Sequence, residues 1–185
     1  MRKNFGPSPL MYPTPILVIA SYDENGNANA LVGGGSFIGY TQVALILSKN
    51  HKTVQNILKT NAFTVSMMVA DHVVACDYLG MVSGNNVPDK LEKVGFHITK
   101  SEFVNAPLFE ELPVALECEF VSYDEKTGLL IGNVINASAD QSVLDENGKI
   151  DVDKLRPVAI ETMYNTYRVL GEQVGKAYSD GLKLK

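Results

Sequence analysis

The apolar residues of this chain arrive in short bursts rich in Ile, Val and Phe, each closed by Gly, Pro, Asn or Asp. Bursts of that length and composition, bounded by turn residues, predict antiparallel strands with helix as the minor component. Residues 16–22 read as a strand, Asp23, Glu24, Asn25 and Gly26 as a tight turn, and 28–32 as the returning arm. Further strands are expected at 43–47, 62–69 and 158–162, and a long hairpin at 114–123 and 129–137 with its turn at 124–128. In the first arm of that hairpin Leu116, Cys118 and Phe120 share one face and Glu117 and Glu119 the other, so one side faces a core.

Three helices are expected between the strands. Thr53 can cap one whose Val54, Ile57 and Leu58 form a single apolar stripe ending before Asn61. Residues 70–81 place Val73, Val74, Asp77 and Tyr78 at helical spacing, with Gly80 or Gly84 as terminator. Residues 89–94 lie between Pro88 and Gly95, the expected order of Pro before and Gly after a helix. The late strand draws both ends of the sequence into one sheet, and 185 residues suit a single domain spanning 1–185.

With 45% hydrophobic residues the chain can bury a core. A formal net charge of −5 argues against a nucleic-acid partner, so any basic site must be local. No apolar run approaches the roughly 20 residues of a membrane helix, and the N-terminus lacks the apolar core of a secretory signal. A cytoplasmic protein with no membrane partner is the expectation. Cys76 and Cys118 lie far apart with no CxxC and no metal-ligand spacing, so two buried thiols are expected.

The densest chemistry lies in Ser48-Lys49-Asn50-His51-Lys52-Thr53, where an apolar strand gives way to an amphipathic helix. Cations and hydroxyls meet there with the free N–H groups of a helix start, which suits a phosphate, though Thr53 as a plain helix cap is the alternative. Upstream, Gly33, Gly34 and Gly35 could let a flat ring approach the backbone, or form only a loop or bulge. GxGxxG spacing is absent, so this is no dinucleotide fingerprint. Tyr78-Leu79-Gly80-Met81-Val82-Ser83-Gly84 precedes Lys90, an ammonium suited to negative charge on a reduced ring or else a surface lysine. His72, after Asp71, reads as a capping or structural residue.

The order of "GNANA" after a first hairpin, "SKNHKT" before a helix, "GMVSG" and "DK", "LECEF" and a late "TYRVLGEQVGKAY" resembles the flavoredoxin branch of the flavin reductase-like family, from Ile16 to Gly181. The resemblance implies a mainly β fold: a Greek-key-like antiparallel split β-barrel with a few short helices. It also implies a homodimer with one FMN per subunit near the subunit contact. By that likeness Asn29, Ala30, Leu31 and Val32 would contact the ring through their backbone, and Ser48, His51, Lys52 and Thr53 the phosphate. Ser83 would line the site, Lys90 would lie at the pyrimidine edge, and Tyr164 would close the pocket. Leu31 and the three glycines stand where relatives carry a hydroxyl residue and a tryptophan, and this protein has no Trp.

Because a flavin carries its own redox chemistry, no catalytic acid or base is required, and no Ser/His/Asp order is found. The implied function is an FMN-binding oxidoreductase moving electrons between a reduced donor, NAD(P)H or a redox protein, and an acceptor. The alternatives are a non-catalytic FMN electron carrier with protein partners and a dimeric barrel holding another phosphorylated ligand.

Overall fold

A computed structural model describes residues 1–8 and 10–185. Its strands are β1 (Thr14–Pro15), β2 (Leu17–Tyr22), β3 (Ala28–Gly33), β4 (Gly35–Ile38), β5 (Gln42–Ile46), β6 (Ala62–Met67), β7 (Ile98–Lys100), β8 (Pro107–Phe109), β9 (Val114–Asp124), β10 (Leu129–Ala139), β11 (Val158–Glu161) and β12 (Thr166–Val169). The helices are α1 (Lys52–Thr60), α2 (Val73–Met81), α3 (Lys90–Val94) and α4 (Val152–Leu155). Seven strands form one antiparallel sheet in the order β3-β2-β6-β9-β10-β5-β4, and smaller sheets β1-β11-β12 and β7-β8 flank it. The fold is the mainly β, split-barrel architecture expected from the sequence.

The sheet order explains the triple glycine. Strands β3 and β4 stand at opposite edges of the seven-stranded sheet, yet only Gly34 separates them in sequence. The chain can pass from one edge to the other in so short a link only if the sheet curls until its edges meet. A Cβ on Gly35 would lie 2.8 Å from the Ala44 carbonyl oxygen and 2.4 Å from Leu45 Cδ2; one on Gly33 would lie 2.6 Å from Leu47 Cδ2. The glycines serve this seam, and none of them lines the cleft described below. The reading of them as a cradle for a flat ring is therefore corrected.

Alternation along the strands feeds two cores. Ile19, Leu31, Leu45, Phe63, Cys118 and Leu130 fill the inside of the curl, where Val54 and Ile57 of α1 join them. Val18, Ala20 and Ala30 face the other way, against Cys76 and Leu79 of α2, Leu91 of α3, and Phe96, Phe109 and Val158. Both cysteines are free and buried.

Local details depart from the sequence reading in three places. Helix α1 begins at Lys52 with His51 in the N-cap position, so Thr53 is a helical residue and not the cap; Leu58 is 40% exposed and leaves the apolar stripe to Val54 and Ile57. Helix α2 runs through Gly80 to Met81, and its buried residues are Cys76 and Leu79, while Val74 faces solvent and Asp77 accepts a 2.6 Å hydrogen bond from the Tyr167 hydroxyl. Gly80 sits inside the helix because a Cβ there would come within 3.0 Å of Val32 Cβ. Glu117 does lie on the face opposite Cys118, but it is buried, and it accepts hydrogen bonds from Ser101, Asn136 (2.7 Å) and Ser138 (3.2 Å). Its charge is satisfied by loop and neighbouring-strand donors instead of water, as a buried carboxylate requires.

Candidate functional site

The cleft that gathers most of the chemistry has a volume of about 180 Å³ and lies where the first residues of α1, the end of α2, strand β3 and Lys90 converge. Its first wall is built from the turn that leads into α1. His51 N–H donates to the Ser48 carbonyl (3.1 Å) and Asn50 N–H to the Ser48 hydroxyl (3.3 Å), which turns the chain out of β5 and into the helix. The amides of the first turn have no partner within the helix, and the helix dipole makes that end positive. Thr53 is fully buried, and its hydroxyl oxygen accepts a 2.7 Å hydrogen bond from Asn29 Nδ2, leaving the hydroxyl proton to be donated elsewhere. Desolvation, and then the charge of Lys90, push the His51 imidazole below its ordinary value, so at neutral pH it is an uncharged ring.

The second wall is the end of α2 and the turn after it, residues 79–84. Here the helix presents carbonyls, the negative pole. Lys90, 2% exposed, donates from Nζ to the carbonyls of Leu79 (2.9 Å) and Val82 (2.8 Å) and so closes that end with a cation. Burial lowers its ammonium to about 8. The Asn85 side-chain amide donates to the Asn50 carbonyl (3.1 Å) and ties the turn after α2 to the turn before α1, bridging the two walls. A polar groove of about 490 Å³, lined by Asp23, Asn27 and Asn85, meets the cleft at Asn29, Lys52 and Gly84.

Of the residues singled out from the sequence, Asn29, Leu31, Val32, His51, Lys52, Thr53, Ser83 and Lys90 line this one cleft. Three do not. Ala30 alternates away from Asn29 and Leu31 into the core against α2. Ser48 is exposed and its hydroxyl is used by the turn before α1. Tyr164, 73% exposed, sits in the turn between β11 and β12 and lines no part of the cleft. Lys49 points away and pairs with Glu125 at 2.6 Å. The sequence singles out the run 78–84 but assigns a site role only to Ser83; Leu79, Gly80, Met81 and Val82 line the cleft as well, and Gly80, which reads as a helix stop, hides where α2 delivers its last carbonyls.

Residues 10–160 match the family described as "Flavin reductase like domain". The chain belongs to this flavin reductase-like family. It superposes on flavoredoxin of Desulfovibrio vulgaris (Miyazaki F) with a TM-score of 0.93 at 31% identity, covering 98% of this chain and 100% of that one. Flavoredoxin from Methanosarcina acetivorans gives 0.90 at 25% identity, with 100% of both chains covered. An FMN-binding domain of a flavin reductase-like enzyme from Shewanella baltica OS155 shares the fold, with a TM-score of 0.76 at 18% identity and 88% of each chain covered. The likeness to the two flavoredoxins thus spans nearly the whole of the chain. Among the described residues no helix is long and apolar enough to cross a membrane.

Proposed function

We infer that the chain binds FMN in the cleft between α1 and α2 and works as a flavin-dependent oxidoreductase. The observation that carries this is the division of the cleft into a donor end and an apolar end. Lys52, Thr53 and the first amides of α1 form a donor set for a phosphate dianion, while Leu31, Val32, Leu79, Met81 and Val82 supply flat apolar contact for a ring system. The residues present fit the group on that chemistry: the buried Thr53 hydroxyl has a proton left to give, and a cation stands beside the first helical amides. FMN-binding members of the same fold support the assignment.

A bound flavin would supply the two-electron chemistry, and the polypeptide would supply position, electrostatics and access. The α1 end anchors the phosphate, Asn29 holds Thr53 in register with it, and Lys90 keeps a positive charge at the opposite end. Ser83, whose hydroxyl accepts from the Asn85 amide at 3.2 Å, fixes the turn that borders the ring side. With no side chain placed as an acid or base catalyst, the electron donor, NAD(P)H or a redox protein, needs only contact with an open face.

Homodimerisation completes the site in this reading. The cleft alone, at about 180 Å³, is smaller than the roughly 300–1,000 Å³ of sites that enclose a small molecule, so a second surface must cover a cofactor of this size. An apolar groove formed by Leu17, Phe37, Val65, Met67 and Leu116, with Ile38, Tyr40 and Ile46 exposed near it, gives a second copy something to bury. Tyr164 is then available to a partner's cleft and not to its own.

The visible absorption spectrum of freshly purified protein, with chromatographic identification of the pigment after denaturation, tests the assignment. Yellow protein releasing FMN is expected; protein that stays colourless after incubation with FMN overturns it. Steady NAD(P)H oxidation with an added acceptor marks an enzyme. Its absence, together with rapid reduction by a ferredoxin-like protein, marks an electron carrier.

A further inference from the structure

The most unusual charge in the molecule is Lys90. Its side chain is buried, and no carboxylate among the described residues pairs with its Nζ, which is held by the Leu79 and Val82 carbonyls alone. A neutral amine carries two N–H groups and one lone pair; an ammonium carries three N–H groups. The two carbonyls therefore take both N–H groups of the neutral amine and leave its lone pair unpaired, and protonation turns that lone pair into a third N–H that these two carbonyls do not take up. Because Lys90 lines the cleft, an occupant of the cleft lies beside its side chain.

Resting on the flavin reading above, we propose that Lys90 takes up a proton from solvent when FMN enters the cleft, so that binding is proton-coupled and the third N–H is made for the ligand. The balance is simple: one proton leaves the buffer and forms an N–H bond at Nζ, and no electron moves. A dianionic phosphoester with an electron-rich ring edge adds negative potential to a site whose only nearby countercharge is peptide carbonyls, and this favours the ammonium. The free protein already lies near the balance point, since burial brings the amine to about 8.

The neighbouring charges do not obscure this exchange. On α2, Asp77 is bonded to the Tyr167 hydroxyl (2.6 Å), Tyr78 is the next ionisable side chain, and burial pushes the Cys76 thiol up to about 12. On and beside α3, Asp89 is paired with Lys93 (3.1 Å), and Glu92 is the remaining acidic side chain. At the start of α1, desolvation holds His51 below its ordinary 6.5 and Lys52 is the neighbouring basic side chain, while β3 brings no titratable side chain. The second ionisation of a phosphomonoester lies near about 6. Lys90, brought to about 8 by burial, is the group whose proton exchange a measurement between pH 7.5 and 9 reads.

The test is calorimetric titration of FMN into the protein at pH 8 in two buffers of different ionisation enthalpy. The wild type should take up roughly half a proton per FMN, and its affinity should fall by up to about tenfold per pH unit above 8. Lys90→Gln, which retains an amide donor pair, and Lys90→Met should both bind with no proton uptake and a flat profile. Wild-type binding without proton exchange, or uptake that persists in both variants, overturns the proposal. If FMN does not bind at all, the flavin reading has failed, and Lys90 is judged in the ligand-free protein from its ¹³Cε chemical shift. A midpoint near 8 there leaves the switch standing for another ligand, whereas one near the ordinary 10.5 removes it.

Discussion

The two walls of the cleft are opposite ends of helices, and the fold treats them differently. The α1 wall arrives positive by construction: unpaired amides, the dipole and Lys52 need no correction to face an anion. The α2 wall arrives negative, with carbonyls of Leu79 and Val82 turned toward the site, and becomes positive only because Lys90 is buried against them. One wall draws its field from backbone amides and Lys52; the other owes it to a single buried side chain near its titration point. If the cleft holds FMN as proposed, its binding has a fixed half and an adjustable half.

Removing the side-chain donors of the fixed half should have the largest effect. Lys52→Ala with Thr53→Ala takes away two hydrogen bonds to a charged group, worth about 1.5–3 kcal/mol each, so FMN affinity should fall more than a hundredfold in a fluorescence titration. Retention equal to the wild type in dialysis would mean that the backbone amides alone hold the phosphate. Thr53→Ala also strands Asn29 Nδ2, whose 2.7 Å partner it removes, so a lowered melting temperature should accompany that half of the double variant and be absent in Lys52→Ala.

The adjustable half can be displaced without touching a polar atom. A Cβ at Gly80 meets Val32 Cβ at 3.0 Å, so Gly80→Val overpacks the contact between α2 and β3 at a cost of about 1–3 kcal/mol and pushes the last turn of α2 outward. About tenfold weaker FMN binding with a lower unfolding midpoint is expected; unchanged binding in a folded Gly80→Val protein would show that the α2 wall is dispensable.

A smaller effect concerns stability in the ligand-free protein. The Lys90 amine is near 8 when folded and near 10.5 when unfolded, so between those values the unfolded chain holds more protons. Its burial penalty is then fully present below pH 8 and is relieved as pH rises through 8 toward 10.5. Relative to Lys90→Met, the wild type should gain stability over that window in denaturant titrations. A parallel pH dependence in both proteins would show that Lys90 titrates alike in both states.

Much of this contrast was legible in the sequence, and the part that was not has a physical reason. The strands and the body of α1 could be read because each is a local pattern: the Asn25-Gly26 turn before residues 28–32, period two in residues 116–120, and a 3.6-residue stripe through Val54 and Ile57. The phosphate-type segment was legible for the same reason, since donors adjacent in sequence stay adjacent at a helix start. Lys90 was visible as a charge near the site, but its carbonyl partners lie 11 and 8 residues upstream, at a helix end that Gly80 disguises. Ser48 and Tyr164 were placed by position along the chain, and backbone turns decide where such residues point.

The triple glycine gives the smallest expected effect and the sharpest check on that distinction. As a ring cradle, Gly34 should tolerate no side chain if flavin is to bind. As the seam of a curled sheet it stands outside the cleft, and a Cβ there meets nothing nearer than the Pro15 carbonyl oxygen at 3.9 Å. Gly34→Val should therefore leave FMN affinity within about twofold of wild type, because β-branched residues suit extended chain and the cleft is untouched. Gly35→Ala, whose added carbon faces the Ala44 carbonyl at 2.8 Å, should lower the unfolding midpoint without a specific loss of binding in the molecules that remain folded. If instead Gly34→Val abolished binding in a fully folded protein, the seam would have to reach the site, and the division of labour between sheet closure and cofactor walls would be lost.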